Sequence, residues 1–100
     1  MKSVILTKYG APEVLKVKEL KTPEPSDNEV RIKVHYAGIN FAEIMARMKL
    51  YPGGPKPGSI LGGEISGVVE KVGKDVQNLN VGQNVMGLSL NGSYSSYVCM

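Results

Sequence analysis

The chain has 100 residues, of which 42% are hydrophobic, and a formal net charge of +3. This length fits one small domain, and the apolar content excludes a disordered chain. Basic and acidic residues alternate, which indicates a solvated surface rather than a nucleic-acid-binding patch, and no apolar run reaches the roughly 20 residues of a membrane span. A single cysteine (Cys99) and a single histidine (His35) exclude an internal disulfide and a conventional zinc site, and they fit a cytoplasmic protein.

The first part of the chain predicts three strands, over residues 3–7, 14–20 and 29–36. The first two are separated by a Gly/Pro turn and read as a hairpin. The third alternates strictly between apolar and polar residues, which predicts a sheet with one buried face and one wet face. His35 lies on the polar side, where we expect an exposed surface histidine. The buried face is expected to consist of Val30, Ile32, Val34 and Tyr36.

A short helix is predicted over residues 41–48. Its large apolar residues recur at helical spacing and form one stripe, which we expect to pack in the core rather than to contact a cofactor. Asn40 precedes the helix and Glu43 follows three residues later, the pattern of a capping box. The pattern therefore gives both polar residues a structural role that requires no function. The apolar stripe consists of Phe41, Ile44, Met45 and Met48.

The second half of the chain predicts further strands separated by turns. After a Pro/Gly-rich loop at 51–58, a strand is expected over 60–72, interrupted by glycines. Glu64 lies there among apolar residues, so we expect its carboxylate to bond to local backbone or to be exposed at a bulge. Asn91-Gly92 predicts a hairpin whose second strand spans 93–98. About seven short strands and one helix predict a mainly β domain of the small-barrel or sandwich type.

Common catalytic and nucleotide-binding motifs are missing from the sequence. Residues 62–67 contain three glycines, but their spacing is wrong for a dinucleotide-binding turn and they precede a strand rather than a helix. Neither a P-loop nor a nucleophile elbow is present. Without a family in mind, the sequence predicts a β-rich domain and leaves its function open.

Four segments nevertheless resemble the N-terminal GroES-like domain of the medium-chain dehydrogenase/reductase superfamily. The resemblance extends over residues 1–100 and points to the zinc-independent quinone oxidoreductases, the branch of ζ-crystallin and the vesicle-amine-transport-like proteins. It implies a partly open GroES-like β-barrel with one short helix near 41–48, truncated at its C-terminal end. The family's Rossmann domain, which holds most of the cofactor, is not in these 100 residues. The segments that carry the resemblance are 29–43, 50–52, 62–73 and 81–87.

Departures from the zinc alcohol dehydrogenases of this superfamily bear on the implied chemistry. Asn40 stands where those enzymes have a cysteine ligand, and Gly63 stands where they have a histidine ligand. Their four-cysteine structural zinc loop, expected after residue 87, is also missing. The resemblance therefore implies no zinc and a hydride transfer from NADPH to a quinone or an α,β-unsaturated carbonyl compound. Such a reaction needs the substrate to be bound and oriented more than it needs a metal to polarise the substrate's carbonyl group.

The resemblance also implies a set of site residues. In the quinone reductase branch the asparagine matching Asn40 lies beside the nicotinamide, which makes Asn40 the expected catalytic residue, and the tyrosine matching Tyr51 lines the same cleft. Met45 stands where relatives often carry a tyrosine. Gly63 stands where they often carry threonine, tyrosine or phenylalanine. Glu64 completes the expected cleft.

The substrate cleft of this family lies between two domains, so the resemblance implies that the chain supplies one wall. We expect the isolated chain to have no activity and no tight affinity for NADPH. The implied partners are a quinone or enone, the Rossmann domain of the complete protein and a second copy in a homodimer. One alternative is an enoyl reductase of the polyketide or fatty-acid synthase type, which residues 40–41, 60–64 and 85–88 suit, although the start at Met1 favours a standalone protein. The other alternative is a non-catalytic GroES-like domain used for binding or assembly.

Overall fold

The computed structural model describes residues 1–90 and 92–100. Within them, six strands, one α-helix and a 3-10 turn form a mainly β fold, as predicted, with one strand fewer than the expected seven. Strands β1 and β2 make an antiparallel hairpin, and the other four make an antiparallel sheet in the order β5-β4-β3-β6. Both sheets are open rather than closed into a barrel. The elements are β1 (Lys2–Leu6), β2 (Leu15–Glu19), β3 (Val30–Ala37), α1 (Phe41–Arg47), β4 (Glu64–Val72), β5 (Asn84–Leu88) and β6 (Tyr97–Cys99).

Two apolar clusters hold the fold together. The larger lies on the four-stranded sheet and includes Ile32 and Val69, which is fully buried. The smaller lies under the hairpin, where Leu6, Val14 and Leu61 pack together. Because Leu61 directly precedes the glycines that lead into β4, this second cluster fixes the position at which the chain enters the sheet.

Tyr36 departs from the predicted alternation. Val30 and Ile32 are buried as expected, but Tyr36 is 77% exposed. The pairing of β3 with β4 shifts its register between Val34 and Tyr36. Such a bulge reverses the faces of the residues beyond it, so the end of β3 presents its tyrosine to solvent. His35 is exposed, as predicted.

The prediction that the apolar stripe of α1 packs in the core is wrong. Phe41 is 72% exposed, and Ile44 and Met48 are exposed as well. The buried residue of this seven-residue helix is Ala46. The described core clusters are built from strand and loop residues and include none from α1. The helix turns its small alanine inward, so Phe41, Ile44 and Met48 are exposed, while Met45 is partly buried.

The strand expected from residue 60 begins later, at Glu64. Ile60 forms only an isolated bridge with Ile5. The reason is Gly62, whose φ of 105° lies in the left-handed region and interrupts the extended chain. The hairpin predicted at Asn91 lies outside the described residues, but β6 pairs with β3 rather than with β5.

Within residues 1–90 and 92–100, no helix has the length and apolar character that crossing a bilayer would require.

Candidate functional site

Glu43 joins the two segments that the resemblance singled out. Its Oε2 accepts a hydrogen bond from the backbone N–H of Asn40 at 3.0 Å, and its Oε1 accepts one from the backbone N–H of Gly63 at 3.1 Å. The first bond is one half of the predicted capping box, both halves of which are present, and the Glu43 N–H also donates to the backbone carbonyl of Asn40 at 3.2 Å. The capping box is thus confirmed. The carboxylate also fixes the start of α1 against the entrance of β4.

A cleft of about 370 Å³ opens beside this carboxylate. Helix α1 contributes Ala42 and Glu43, and the Pro/Gly-rich loop contributes Tyr51. The segment that enters β4 contributes Gly63, and the segment after β5 contributes Ser89. Four separate stretches of chain therefore meet at one concave surface, which suits it to hold a small molecule.

The structure places two of the five predicted site residues in the cleft. Tyr51, which is 49% exposed, and Gly63 line the cleft. Asn40 is exposed at the N-cap of α1 and is linked to Gly63 through the shared carboxylate. Met45 and Glu64 are partly buried and are not among the described residues that line the cleft. The structure thus places Tyr51 and Gly63 in the cleft, and it places Asn40 outside the described lining, bridged to Gly63 through Glu43.

Glu64 packs over Gly38. A Cβ atom at Gly38 would overlap the carboxylate of Glu64, so a larger residue there would force the Glu64 side chain to move. The backbone N–H of Gly38 donates a hydrogen bond to the Glu64 carbonyl at 3.2 Å. The end of β3 and the start of β4 are therefore held in contact next to the cleft.

The turn near residue 10 anchors two of the cleft's elements. The Tyr9 hydroxyl donates a hydrogen bond to the carbonyl of Pro55 at 3.1 Å, which holds the Pro/Gly-rich loop. The Arg47 guanidinium donates to the Gly10 carbonyl, and the Gly10 N–H donates to the Arg47 carbonyl at 2.9 Å, which holds the end of α1. The relative position of loop and helix, and so the width of the cleft, depends on these bonds.

Tyr94 lies behind the glycines of the cleft. A Cβ atom at Gly62 would come within 2.7 Å of the Tyr94 ring. The hydroxyl oxygen is buried and makes no hydrogen bond to the described residues. Burial raises the pKa of Tyr94, and the negative charges of Glu43 and Glu64 raise it further. Burial and the two carboxylates thus act in the same direction and favour the neutral form of the phenol.

The raised pKa of Tyr94 predicts a delayed ionisation. Subtracting the phenolate absorbance titration of a Tyr94→Phe variant from that of the wild type should leave a curve with its midpoint above the ordinary value of 10.0. Because the folded state favours the neutral phenol, the associated stability is fully present below the unfolded pKa and is lost as pH rises through the folded pKa. A difference curve centred at or below the ordinary value would contradict the burial of this hydroxyl.

The roles of Glu43, Ser89 and Tyr94 in the site could not be predicted from local sequence patterns. Glu43 was assigned a capping role from its spacing to Asn40, but its bond to Gly63 joins residues 20 positions apart. Ser89 and Tyr94 carry no motif, and only the folding of β5 and β6 around β4 and β3 brings their segments here. Among the described residues, no three His, Cys, Asp or Glu side chains cluster closely enough to hold a metal ion.

Comparisons with known proteins agree on one family. Residues 26–100 match the alcohol dehydrogenase GroES-like domain. The chain is 41% identical over 90 residues to the quinone oxidoreductase of Salmonella typhimurium, an alignment that covers 89% of the chain and 27% of that protein. It is 32% identical over 99 residues to the synaptic vesicle membrane protein VAT-1 homolog-like of Mus musculus, covering 99% of the chain and 24% of the relative. The chain thus spans about a quarter of the length of these curated relatives.

A solved structure matches equally well. The crystal structure of Escherichia coli quinone oxidoreductase complexed with NADPH has a TM-score of 0.92 and 36% identity, and the match covers 100% of this chain and 31% of that one. Sequence and fold therefore agree along the whole of the described chain. The chain belongs to the alcohol dehydrogenase GroES-like domain family, and its homologues include quinone oxidoreductases and VAT-1 proteins of the medium-chain dehydrogenase/reductase superfamily.

Proposed function

We propose that this chain is the substrate-side domain of a zinc-independent, NADPH-dependent oxidoreductase that reduces quinones or α,β-unsaturated carbonyl compounds. The observation that carries the proposal is the bridge from Asn40 to Gly63 through Glu43, beside a cleft. By resemblance to the zinc alcohol dehydrogenases, the bridged residues stand at the two positions that hold catalytic zinc in those enzymes. Glycine has no side-chain donor, and an asparagine amide is not among the usual zinc ligands. The donor set therefore suits positioning of an organic substrate.

The size of the cleft fits one ring system better than a whole dinucleotide. Its 370 Å³ lies at the small end of the roughly 300–1,000 Å³ typical of ligand pockets. We therefore assign this space to the acceptor and place the nicotinamide of NADPH at its edge, near Asn40. The E. coli relative complexed with NADPH supports this choice of cofactor. Asn40 would hold the nicotinamide through an amide that offers two donors and one acceptor. The remainder of the cofactor would bind to a further domain.

In the proposed reaction, NADPH supplies the hydride, and a quinone plus one proton becomes a hydroquinone while NADP⁺ is released. The chain's residues bind the acceptor and orient it for hydride transfer. Tyr51 offers an aromatic face to the acceptor ring, and Gly63 lets that ring approach the backbone closely. Glu43 keeps the start of α1 and the entrance of β4 at a fixed separation. This orientation replaces the polarisation that a metal would provide.

The isolated chain is proposed to be inactive. It spans about a quarter of the curated relatives' length, and the proposed cleft needs a second domain, of the Rossmann type, to hold most of the cofactor. The 100-residue chain should oxidise no NADPH and should bind it weakly. Sub-micromolar affinity of the chain alone for NADPH would contradict this assignment.

The test is an NADPH oxidation assay of the complete gene product with benzoquinone and with an enone, in the presence and absence of a zinc chelator. We expect turnover that the chelator leaves unchanged, and an Asn40→Ala variant that loses about 10-fold or more in kcat/KM. Unchanged rates in that variant would remove Asn40 from the site. A strong preference for enoyl thioesters would favour the synthase-type enoyl reductase, and no turnover of any acceptor would favour a binding domain.

A further inference from the structure

We propose that Gly63 sets the size limit of the acceptor side of the cleft, so that the site accepts fused-ring quinones and bulky enones. This inference rests on the proposed function and deepens it. At Gly63 the side chain that would otherwise occupy the cleft is missing. The extra space favours acceptors with more than one fused ring, such as anthraquinones.

The direction of the missing side chain is fixed by its neighbours. A Cβ atom at Gly63 would lie 3.5 Å from Glu43 Oε1 and 3.5 Å from the carbonyl oxygen of Ser89. Both of these residues line the cleft, so the Cβ would stand between two of its lining elements. Any larger side chain would therefore take volume from the space that the acceptor uses.

The backbone at this position is held on both sides. The Gly63 N–H donates to Glu43 Oε1 at 3.1 Å, and the Gly63 carbonyl accepts a hydrogen bond from the Ser89 N–H at 2.8 Å. Because the peptide groups on both sides of Gly63 are hydrogen-bonded, the backbone there has little freedom to rotate and make room for an added side chain. The space in front of Gly63 is thus a fixed feature of the cleft.

The fold itself does not require glycine here. Gly62 has a positive φ, and a Cβ atom there would overlap the hydroxyl of Ser93, whereas the φ of Gly63 lies outside the left-handed region. The contacts of a Cβ at Gly63 are ordinary van der Waals distances. A substitution at Gly63 should therefore leave the chain folded and change mainly the volume of the cleft. In a pocket of 370 Å³, such a change discriminates strongly between acceptors.

The experiment compares Gly63→Ala and Gly63→Phe with the wild type and with Asn84→Phe. The last variant adds the same ring at an exposed position of β5 away from the cleft. In the complete gene product, kcat/KM is measured for benzoquinone and for anthraquinone sulfonate. In the 100-residue chain, weak binding of anthraquinone sulfonate is followed by NMR chemical shifts, and thermal unfolding shows that each variant remains folded.

We expect Gly63→Phe to lower kcat/KM for anthraquinone sulfonate by about 100-fold and for benzoquinone by far less, with Gly63→Ala intermediate and Asn84→Phe unchanged. Equal losses for both acceptors, or none, would overturn the size limit. If neither the wild type nor any variant reduces a quinone, the proposed function fails, and the NMR binding measurement alone decides the inference. Loss of the anthraquinone shifts in Gly63→Phe but not in Asn84→Phe then upholds the inference. Retention of the shifts in both variants, or no shifts in the wild type, overturns it.

Discussion

Replacing Gly67 with alanine is expected to lower the free energy of unfolding by about 3 kcal/mol. Gly67 lies in the middle of β4, where a Cβ atom would overlap the backbone carbonyl oxygen of Lys33 and crowd the side chain of Ile32. A neighbouring backbone in the centre of a sheet cannot move aside without breaking the β3–β4 pairing. For a domain of this size, the midpoint of thermal unfolding should fall by roughly 12–24 °C.

Gly63→Ala is the matched control for this measurement. It makes the same chemical change a few residues away, where the Cβ atom would meet its neighbours at ordinary distances. Its midpoint should stay within about 4 °C of the wild type, since surface-like substitutions change stability by about 0.5 kcal/mol or less. Equal changes in the unfolding midpoint of the two variants would show that the close backbone approach at Gly67 is not what makes glycine necessary for stability there.

Replacing Glu43 with alanine should damage both the fold and the site. The substitution removes two charge-assisted hydrogen bonds, to Asn40 and to Gly63, and we expect a loss of about 2 kcal/mol in the free energy of unfolding because the carboxylate is only partly buried. It also releases the start of α1 from the entrance of β4. In the complete gene product, kcat/KM for quinone reduction should fall by about 10- to 100-fold, since small displacements of positioning groups have effects of this size.

The conservative variant Glu43→Gln separates the two roles. A glutamine keeps one oxygen acceptor and can hold either Asn40 or Gly63, but not both as an acceptor. The glutamine variant should therefore recover about half of the stability lost in the alanine variant, while its kcat/KM stays below that of the wild type. Full recovery of both quantities would mean that the double bridge has no part in positioning.

Much of the fold could be predicted from residue patterns because its strongest signals are local. The alternation from Val30 and the spacing of Asn40 to Glu43 are read over a few residues, and both predicted the element that is present. Tyr36 and the stripe of α1 were misplaced for a different reason. A bulge depends on how β3 pairs with β4, and the exposure of Phe41 depends on what lies opposite a short helix. Neither feature can therefore be predicted from the neighbouring residues in the sequence.

The candidate site divides in the same way. Tyr51 and Gly63 were predicted from a family resemblance, and the cleft contains both. The bridge made by Glu43 was not predicted, because its partner at Gly63 is brought near only by the folding of β4 against the end of β3. Tyr94 had no signal at all, since its position behind the glycines depends on the path of the chain after β5.

The most direct test of the central claim, that these residues form the acceptor wall of a reductase, is a map of where a quinone binds. The isotopically labelled 100-residue chain is titrated with anthraquinone sulfonate, which has no site for attack by the Cys99 thiol, and backbone amide shifts are recorded by NMR. We predict weak, saturable shifts at Ala42, Glu43, Tyr51 and Gly63. Shifts centred instead on the second cavity, lined by Asn28, Asp75 and Leu79, or shifts at none of the cleft residues, would contradict the account.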